Sequence, residues 1–363
     1  SSRVIVLLNT GNTMEIGKIA KGGSHEVDAI GYMGIINDYQ STGIVQVLSG
    51  EYNATGALPD TYAYSNLSSP AMMNFGGTYF EDYRLGESIG TDPRWPGMNI
   101  ANGAGSSFGG GGGNYNGGMY IVEAEGIYVG YNYYESRYYD SIANTDTSKA
   151  KSIKGSSTGN GWKYSDEVVY TFGHGLSYLD YEQNITGVSV DKTEDGNITA
   201  NVAIHNKSNK DGYFLAQLYV QQPYTEYDKT NKVEKSAVMF LNSKKINVKA
   251  GQVETVTITV PTKYLASYDY TNAKTYILDQ GTYYFTAAAG AHEAVNNFLT
   301  AQGYTTDNGM DAKGKGAVKT WALNSFDGVT FSVDNGKKIT NVADDADLNY
   351  WLPDTVTYLS RSQ

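Results

Sequence analysis

The sequence predicts part of an α/β layer carrying a long Gly/Tyr-rich insertion, then an all-β immunoglobulin-like sandwich, then an extended tail. Three observations predict it. A continuous apolar run with β-branched residues, Val4-Ile5-Val6-Leu7-Leu8, opens the chain. A polar stretch containing five consecutive glycines, Gly109 to Gly113, interrupts the middle. From about Glu182 onward, apolar and polar residues alternate with the period of half-buried strands.

Residues 4–8 read as a strand buried on both faces, as in parallel sheets. The turn Asn9-Thr10-Gly11-Asn12-Thr13 then stands at the strand's C-terminal end, where α/β sheets form ligand crevices. Residues 38–48 predict a helix, with Ile44, Val45, Val47 and Leu48 as its apolar contacts. Gly56-Ala57-Leu58-Pro59-Asp60-Thr61 breaks that pattern. This portion is too small to close a core alone and is expected to expose an apolar edge.

The insertion spans about residues 64–165, and a second Ser/Lys/Gly-rich loop covers residues 149–161. Within it, Gly126-Ile127-Tyr128-Val129-Gly130-Tyr131-Asn132-Tyr133-Tyr134 reads as a strand from its β-branched and aromatic content.

In the sandwich, Ile198, Ala200, Val202 and Ile204 alternate with polar residues, as do Phe214, Ala216, Leu218 and Val220. Residues 256–260 and 282–285 supply further strands. Residues 291–299 have helical apolar spacing, and Gly303 is placed to end that helix. The remainder, with Trp321, Phe326, Phe331, Tyr350 and Trp351 among polar residues, reads as a wrapping segment.

Composition removes several chemistries. The 363 residues contain no Cys, so disulfides, thiolate nucleophiles and Cys-based metal sites are excluded, in keeping with a reducing compartment. A net charge of −11 opposes binding to nucleic acid. No window approaches the roughly 18 consecutive apolar residues of a membrane span. The first residues carry no basic stretch followed by an apolar one, so this chain shows no secretory signal. The histidines, His25, His174, His205 and His292, have no metal-ligand spacing and are expected to be structural or solvated. No phosphate-binding loop and no Gly-x-Ser-x-Gly elbow occurs. Carboxylates remain as candidates for acid/base work: Glu81, Asp82, Glu87, Glu123 and Glu125. With 38 acidic residues in the chain, their spacing favours solvated loop charges.

Four stretches, taken in order, resemble the C-terminal half of the glycoside hydrolase family 3 enzymes, the β-glucosidase group. They are Val4-Ile5-Val6-Leu7-Leu8-Asn9-Thr10-Gly11-Asn12, Gly56-Ala57-Leu58-Pro59-Asp60-Thr61, Glu125-Gly126-Ile127-Tyr128-Val129-Gly130-Tyr131-Asn132-Tyr133-Tyr134 and Phe172-Gly173-His174-Gly175-Leu176-Ser177-Tyr178. The resemblance implies an α/β sandwich portion over residues 1–181, a fibronectin type III-like domain over 182–290, and a helix plus linker over 291–363. Two departures stand out. Gly34-Ile35-Ile36-Asn37-Asp38-Tyr39-Gln40 replaces a Gly-rich stretch, and Asn132 stands where the family often has Arg.

In that family the nucleophilic Asp lies on a βα barrel and the acid/base Glu upstream of the strand matching residues 4–8. The resemblance therefore implies that neither catalytic carboxylate belongs to these residues. Asp344-Asp345-Ala346-Asp347-Leu348-Asn349-Tyr350 and Thr357-Tyr358-Leu359-Ser360-Arg361-Ser362 look like the permuted subgroup, in which the barrel follows the sandwich domains. The expected partners are an oligosaccharide or glucoside substrate, together with the barrel and upstream sandwich segment, in the same gene or as a second chain. No cofactor is expected. Trp95, Tyr115 and Tyr120 are candidate sugar-stacking residues, although such aromatics more often anchor a loop. The alternatives are a noncatalytic carbohydrate-binding module and a structural surface protein.

Overall fold

The computed structural model describes residues 3–74, 105–106, 119–120, 123–143, 156, 161–351, 353–354 and 356–362. Strand β1 (Ile5–Leu8) pairs in parallel with β2 (Ala29–Tyr32), Val6 opposite Ile30. Leu8 is buried with Ile16 and Tyr62. Val4, Ile5 and Leu7 nevertheless remain 50%, 49% and 38% exposed, so β1 is not covered on both faces as expected. A parallel pair normally lies between two layers; here one side of β1 meets solvent.

Helix α1 (Asp38–Leu48) occupies the expected residues, yet Val45 and Leu48 face outward and are exposed. It is followed by β3 (Tyr62–Ala63), α2 (Pro70–Asn74) and the paired two-residue strands β4 (Gly105–Ser106) and β5 (Met119–Tyr120).

The segment read as a strand at residues 126–134 is instead a turn leading into α3 (Tyr131–Ala143). Gly126 and Gly130 both adopt φ +55°, a left-handed conformation that breaks an extended run. From Tyr131 the chain carries Tyr134, Tyr138 and Ile142 on one helical stripe, a period that outweighs the local β-propensity of the aromatics. Tyr133, Tyr134, Tyr138 and Ile142 are all buried, so the stretch assigned to the insertion holds a packed helix.

Short helix α4 (Tyr164–Glu167) precedes β6 (Val168–Tyr170), which pairs with β3. Next come β7 (Tyr181–Val190), β8 (Asn197–Asn206), β9 (Gly212–Gln221), α5 (Glu226–Asn231), β10 (Met239–Val248) and β11 (Val253–Pro261). After β12 (Ser267–Asp269) and β13 (Thr275–Ile277) follow β14 (Gly281–Ala287), α6 (Ala291–Ala301) and β15 (Val318–Leu323). A three-stranded sheet, β11-β8-β7, faces a four-stranded one, β10-β9-β14-β15, and every pairing in both is antiparallel.

The alternation seen in the sequence is the burial pattern of this sandwich. Ile198, Ala200, Val202 and Ile204 are fully buried, opposed by Phe214, Ala216, Leu218 and Val220 in the same core. Register aligns Ile185, Val202 and Val256 across three strands on one face. Each such aliphatic side chain contributes about 1.5–3 kcal/mol on burial. The fourth strand of the larger sheet comes from the segment read as a wrapping tail: Trp321 on β15 lies opposite Tyr283 on β14.

Helix α6 begins at Ala291 as expected, and Gly303 takes φ +92° after its end. Its residues Ala291, Ala294, Val295 and Phe298 share a core with Tyr138 and Ile142 of α3, which ties the α/β portion to the sandwich. Among the described residues, no helix is long and apolar enough to cross a membrane.

Candidate functional site

The four motif stretches, far apart in sequence, meet in space. The Leu58 N–H donates to the His174 carbonyl at 2.8 Å, and the Gly173 N–H donates back to the Leu58 carbonyl at 2.8 Å. Gly175 lies against the backbone of Gly56, where a Cβ would collide with the Gly56 carbonyl. Gly130, just before α3, approaches the Asp60 carboxylate so closely that a Cβ would stand 2.8 Å from Oδ1. Asp60 accepts the Thr61 N–H at 2.7 Å, while burial pushes its pKa upward. The first stretch joins through Leu8, which packs on Tyr62. Tyr170 stacks on His174 with ring centroids 4.9 Å apart, and burial lowers the pKa of that imidazole.

Asn53 supports the fourth stretch, its Oδ1 accepting from Ser177 Oγ at 3.0 Å and the Tyr178 N–H at 2.9 Å. The Tyr178 hydroxyl donates to the Val47 carbonyl of α1 at 2.9 Å. Outward from this junction stand Ile127, Val129 and Leu176, with exposures of 45%, 50% and 78%. A neighbouring crevice lined by Gly56, Gly173, Gly175, Tyr213 and Gln217 has about 20 Å³ of free volume. That is room for about one water molecule and not for a sugar ring. The junction is therefore a shaped surface rather than a closed pocket.

Behind it lies a polar cluster that spacing did not reveal. His292 on α6 places Nδ1 2.8 Å from Glu135 Oε2 on α3 and Nε2 2.7 Å from Asp311 Oδ2. Glu135, fully buried, also accepts from the Tyr164 hydroxyl at 2.5 Å and Thr171 Oγ1 at 3.0 Å. Tyr164 stacks on the imidazole at 3.9 Å. Burial alone would lower the pKa of His292; the adjoining Glu135 and Asp311 carboxylates outweigh it and lift the value to about 10. Desolvation opposes the charge on Asp311 too, but its bonds to His292, Asn296 and Tyr138 bring it down to about 2. With both ring nitrogens engaged, His292 is a fixed imidazolium joining two helices and a loop. It is not placed to shuttle protons. The contact between residues 135 and 292 spans 157 positions, so no local pattern announces it.

The structure separates the other sequence candidates. Trp95, Tyr115, Glu81, Asp82 and Glu87 lie outside the described residues, as does the Gly109 to Gly113 run. Of Tyr120 only the backbone is described, paired with Gly105. Glu123 is exposed as expected, but Glu125 is buried at 6% and is not a solvated loop charge. Its neighbour Ala124 is fully enclosed, because the C-terminal segment crosses over it: the Leu359 N–H donates to the Ala124 carbonyl at 2.7 Å. Asn132, standing where an Arg was expected from the resemblance, buries its Oδ1 without a hydrogen-bond partner among the described residues. Among the described residues no group of three or more His, Asp or Glu is arranged to hold a metal ion.

Comparison with known proteins places this geometry. Residues 215–291 match the family model for the fibronectin type III-like domain. A β-glucosidase of Ruminococcus albus is 26% identical over 305 residues, covering 82% of this chain and 24% of the relative. β-Glucosidase 3B of Thermotoga neapolitana, solved with α-D-glucose, shares the fold at TM-score 0.53 and 19% identity, covering 90% of this chain and 32% of that one. The GH3 β-glucosidase of Bifidobacterium adolescentis does so at TM-score 0.52 and 18% identity, covering 91% and 34%. The chain spans about a quarter of the length of the curated relatives it matches. By motif order, family-model match and fold, the chain resembles the C-terminal portion of a glycoside hydrolase family 3 β-glucosidase, its fibronectin type III-like domain included.

Proposed function

We propose that this chain is part of a retaining β-glucosidase-like hydrolase that removes terminal β-linked sugars from oligosaccharides or glycosides. In this reading it forms the wall of the cleft opposite a βα barrel. The nucleophilic Asp and the acid/base Glu belong to other parts of the protein, their carboxyls about 5–5.5 Å apart as retention requires. Residues 1–181 act as the α/β sandwich portion, 182–290 as the fibronectin type III-like domain with β15 closing its larger sheet, and the rest of 291–363 as the lead toward a barrel in permuted order. Trp95, Tyr115 and Tyr120 are assigned to stacking on the sugar beyond the scissile bond.

The observation that carries this reading is the convergence of the four motif stretches through the Leu58–His174, Gly130–Asp60 and Leu8–Tyr62 contacts. The surface so formed leaves Ile127, Val129 and Leu176 exposed among the described residues. The test is hydrolysis of an aryl β-glucoside by the full-length protein and by this chain alone. Turnover by the former only is the expected result. Glycan binding by this chain, with no hydrolysis by the full-length protein, would replace the reading with that of a carbohydrate-binding module.

A further inference from the structure

The C-terminal residues 359–361 are seated like a ligand rather than laid along the surface. Leu359, Ser360 and Arg361 are 1%, 4% and 5% exposed, whereas Tyr350 and Trp351, a few residues earlier, are 58% and 65% exposed. Arg361 meets the carboxylate of Asp140 on α3 in a two-pronged pair, Nε to Oδ2 at 2.8 Å and Nη2 to Oδ1 at 2.5 Å. Its remaining arm, Nη1, donates to the Lys235 carbonyl at 2.7 Å. The Tyr224 ring lies 4.8 Å from the guanidinium carbon and the Tyr139 ring 6.0 Å from it.

Next to the guanidinium, Ser360 Oγ donates to Glu234 Oε1 at 2.6 Å and the Arg361 N–H donates to Oε2 at 3.2 Å. The Tyr128 hydroxyl donates to the same carboxylate. Planar bidentate acceptors and an aromatic face select a guanidinium over an ammonium. The charge balance points the same way. Asp140 and Glu234 both face the latch residues, while the ammonium of the adjoining Lys235 is already taken up by Asp228 and Asp279, so among the described residues Arg361 is the cation paired with Asp140.

We propose that Asp140, the Lys235 carbonyl, Tyr224 and Glu234 form a guanidinium-binding site whose resident ligand is the chain's own Leu359-Ser360-Arg361, a latch fastening α3 to the linker between α5 and β10. The site would take an alkylguanidinium, or an arginine-ended peptide, once its own Arg is removed. The latch reaches three elements at once: Ala124 before the turn, Asp140 on α3 and Glu234 in the linker.

Two measurements on the whole chain test this. Trypsin hydrolysis of the Arg361–Ser362 bond, followed by mass spectrometry, is expected to be roughly 100-fold slower in the native protein than in urea, because cleavage must await local release. Asp140→Asn is expected to speed it by roughly tenfold or more, as the loss of a charge-assisted bidentate pair predicts. In the second, Arg361→Ala is expected to melt at a lower temperature and to recover several degrees with millimolar N-methylguanidinium but none with methylammonium. Native cleavage as fast as in urea, or an Asp140→Asn variant cut at the wild-type rate, would overturn the latch. Equal recovery with methylammonium would overturn the guanidinium site. If Arg361→Ala fails to fold, the Asp140→Asn comparison decides alone.

Discussion

The imidazole of His292 and the carboxylate of Glu135 form a contact of 2.8 Å between two helices that share no local sequence signal. Helix α3 precedes the sandwich strands and α6 lies between β14 and β15 of the sandwich, so this pair links the two parts of the chain.

Its first consequence is a pH dependence. The folded-state pKa of His292, about 10, lies above its ordinary value of 6.5. The stabilisation is thus complete below about pH 6.5 and declines as pH rises toward 10. Urea denaturation between pH 6 and 10 should show this decline, and His292→Gln should flatten it. Removing one member of such a buried pair is expected to cost about 3–5 kcal/mol at pH 6.

A second buried group titrates in the opposite sense. Desolvation raises Asp279 to about 6, although Lys235 works against the rise. Its ionisation therefore opposes folding: the favourable contribution from the protonated form is present at low pH and is lost as pH rises from about 4 through 6. Lys235→Met would leave Asp228 and Asp279 facing each other unneutralised and is expected to cost about 3–5 kcal/mol near pH 7. Asp279→Asn is expected to cost far less and to abolish the titration near pH 6, as seen in an NMR or stability profile.

Gly173 has φ +81° beneath the Tyr219 and Gln217 side chains, where a Cβ would lie 2.6 Å from Gln217 Oε1 and 2.9 Å from the Gly290 Cα. Gly173→Ala combines backbone strain with overpacking and is expected to destabilise by about 2–4 kcal/mol in thermal or urea unfolding. Gly251→Ala is the control. It shares a positive φ of 68° but has nothing within 4 Å, so it should cost about 1 kcal/mol.

The exposed apolar side chains of β1 and of α1 predict self-association of this chain on its own. Ile5, Leu7, Val45 and Leu48 all stand 38% exposed or more. Sedimentation velocity should show concentration-dependent association, weakened by Leu7→Lys together with Val45→Lys. A monomer that melts cooperatively at all concentrations would contradict this expectation.

Sequence reading succeeded where burial follows a single local period. Ile198, Ala200, Val202 and Ile204 declare a strand because every second side chain enters one core. It failed at α3, where residues suited to strands fill a helix whose stripe emerges only from Tyr131 onward. It failed again at β15, where only Leu323 is buried and the alternation is too weak to mark an edge strand. The four motif stretches were legible one by one. Their meeting through Leu58, Asp60 and His174 is a tertiary fact, as is the His292 cluster.

The placement of β15 bears on how the protein emerges during synthesis. The matched family segment stops at residue 291, yet β14 acquires its second neighbour only at residues 318–323. Until the ribosome has passed that point, β14 presents a bare row of backbone donors and acceptors to any other nascent chain. A fragment cut at the family boundary would carry the same open flank permanently. Dissection of this protein into working pieces should therefore cut after Leu323, once α6 has docked and the chain has returned to close the sheet.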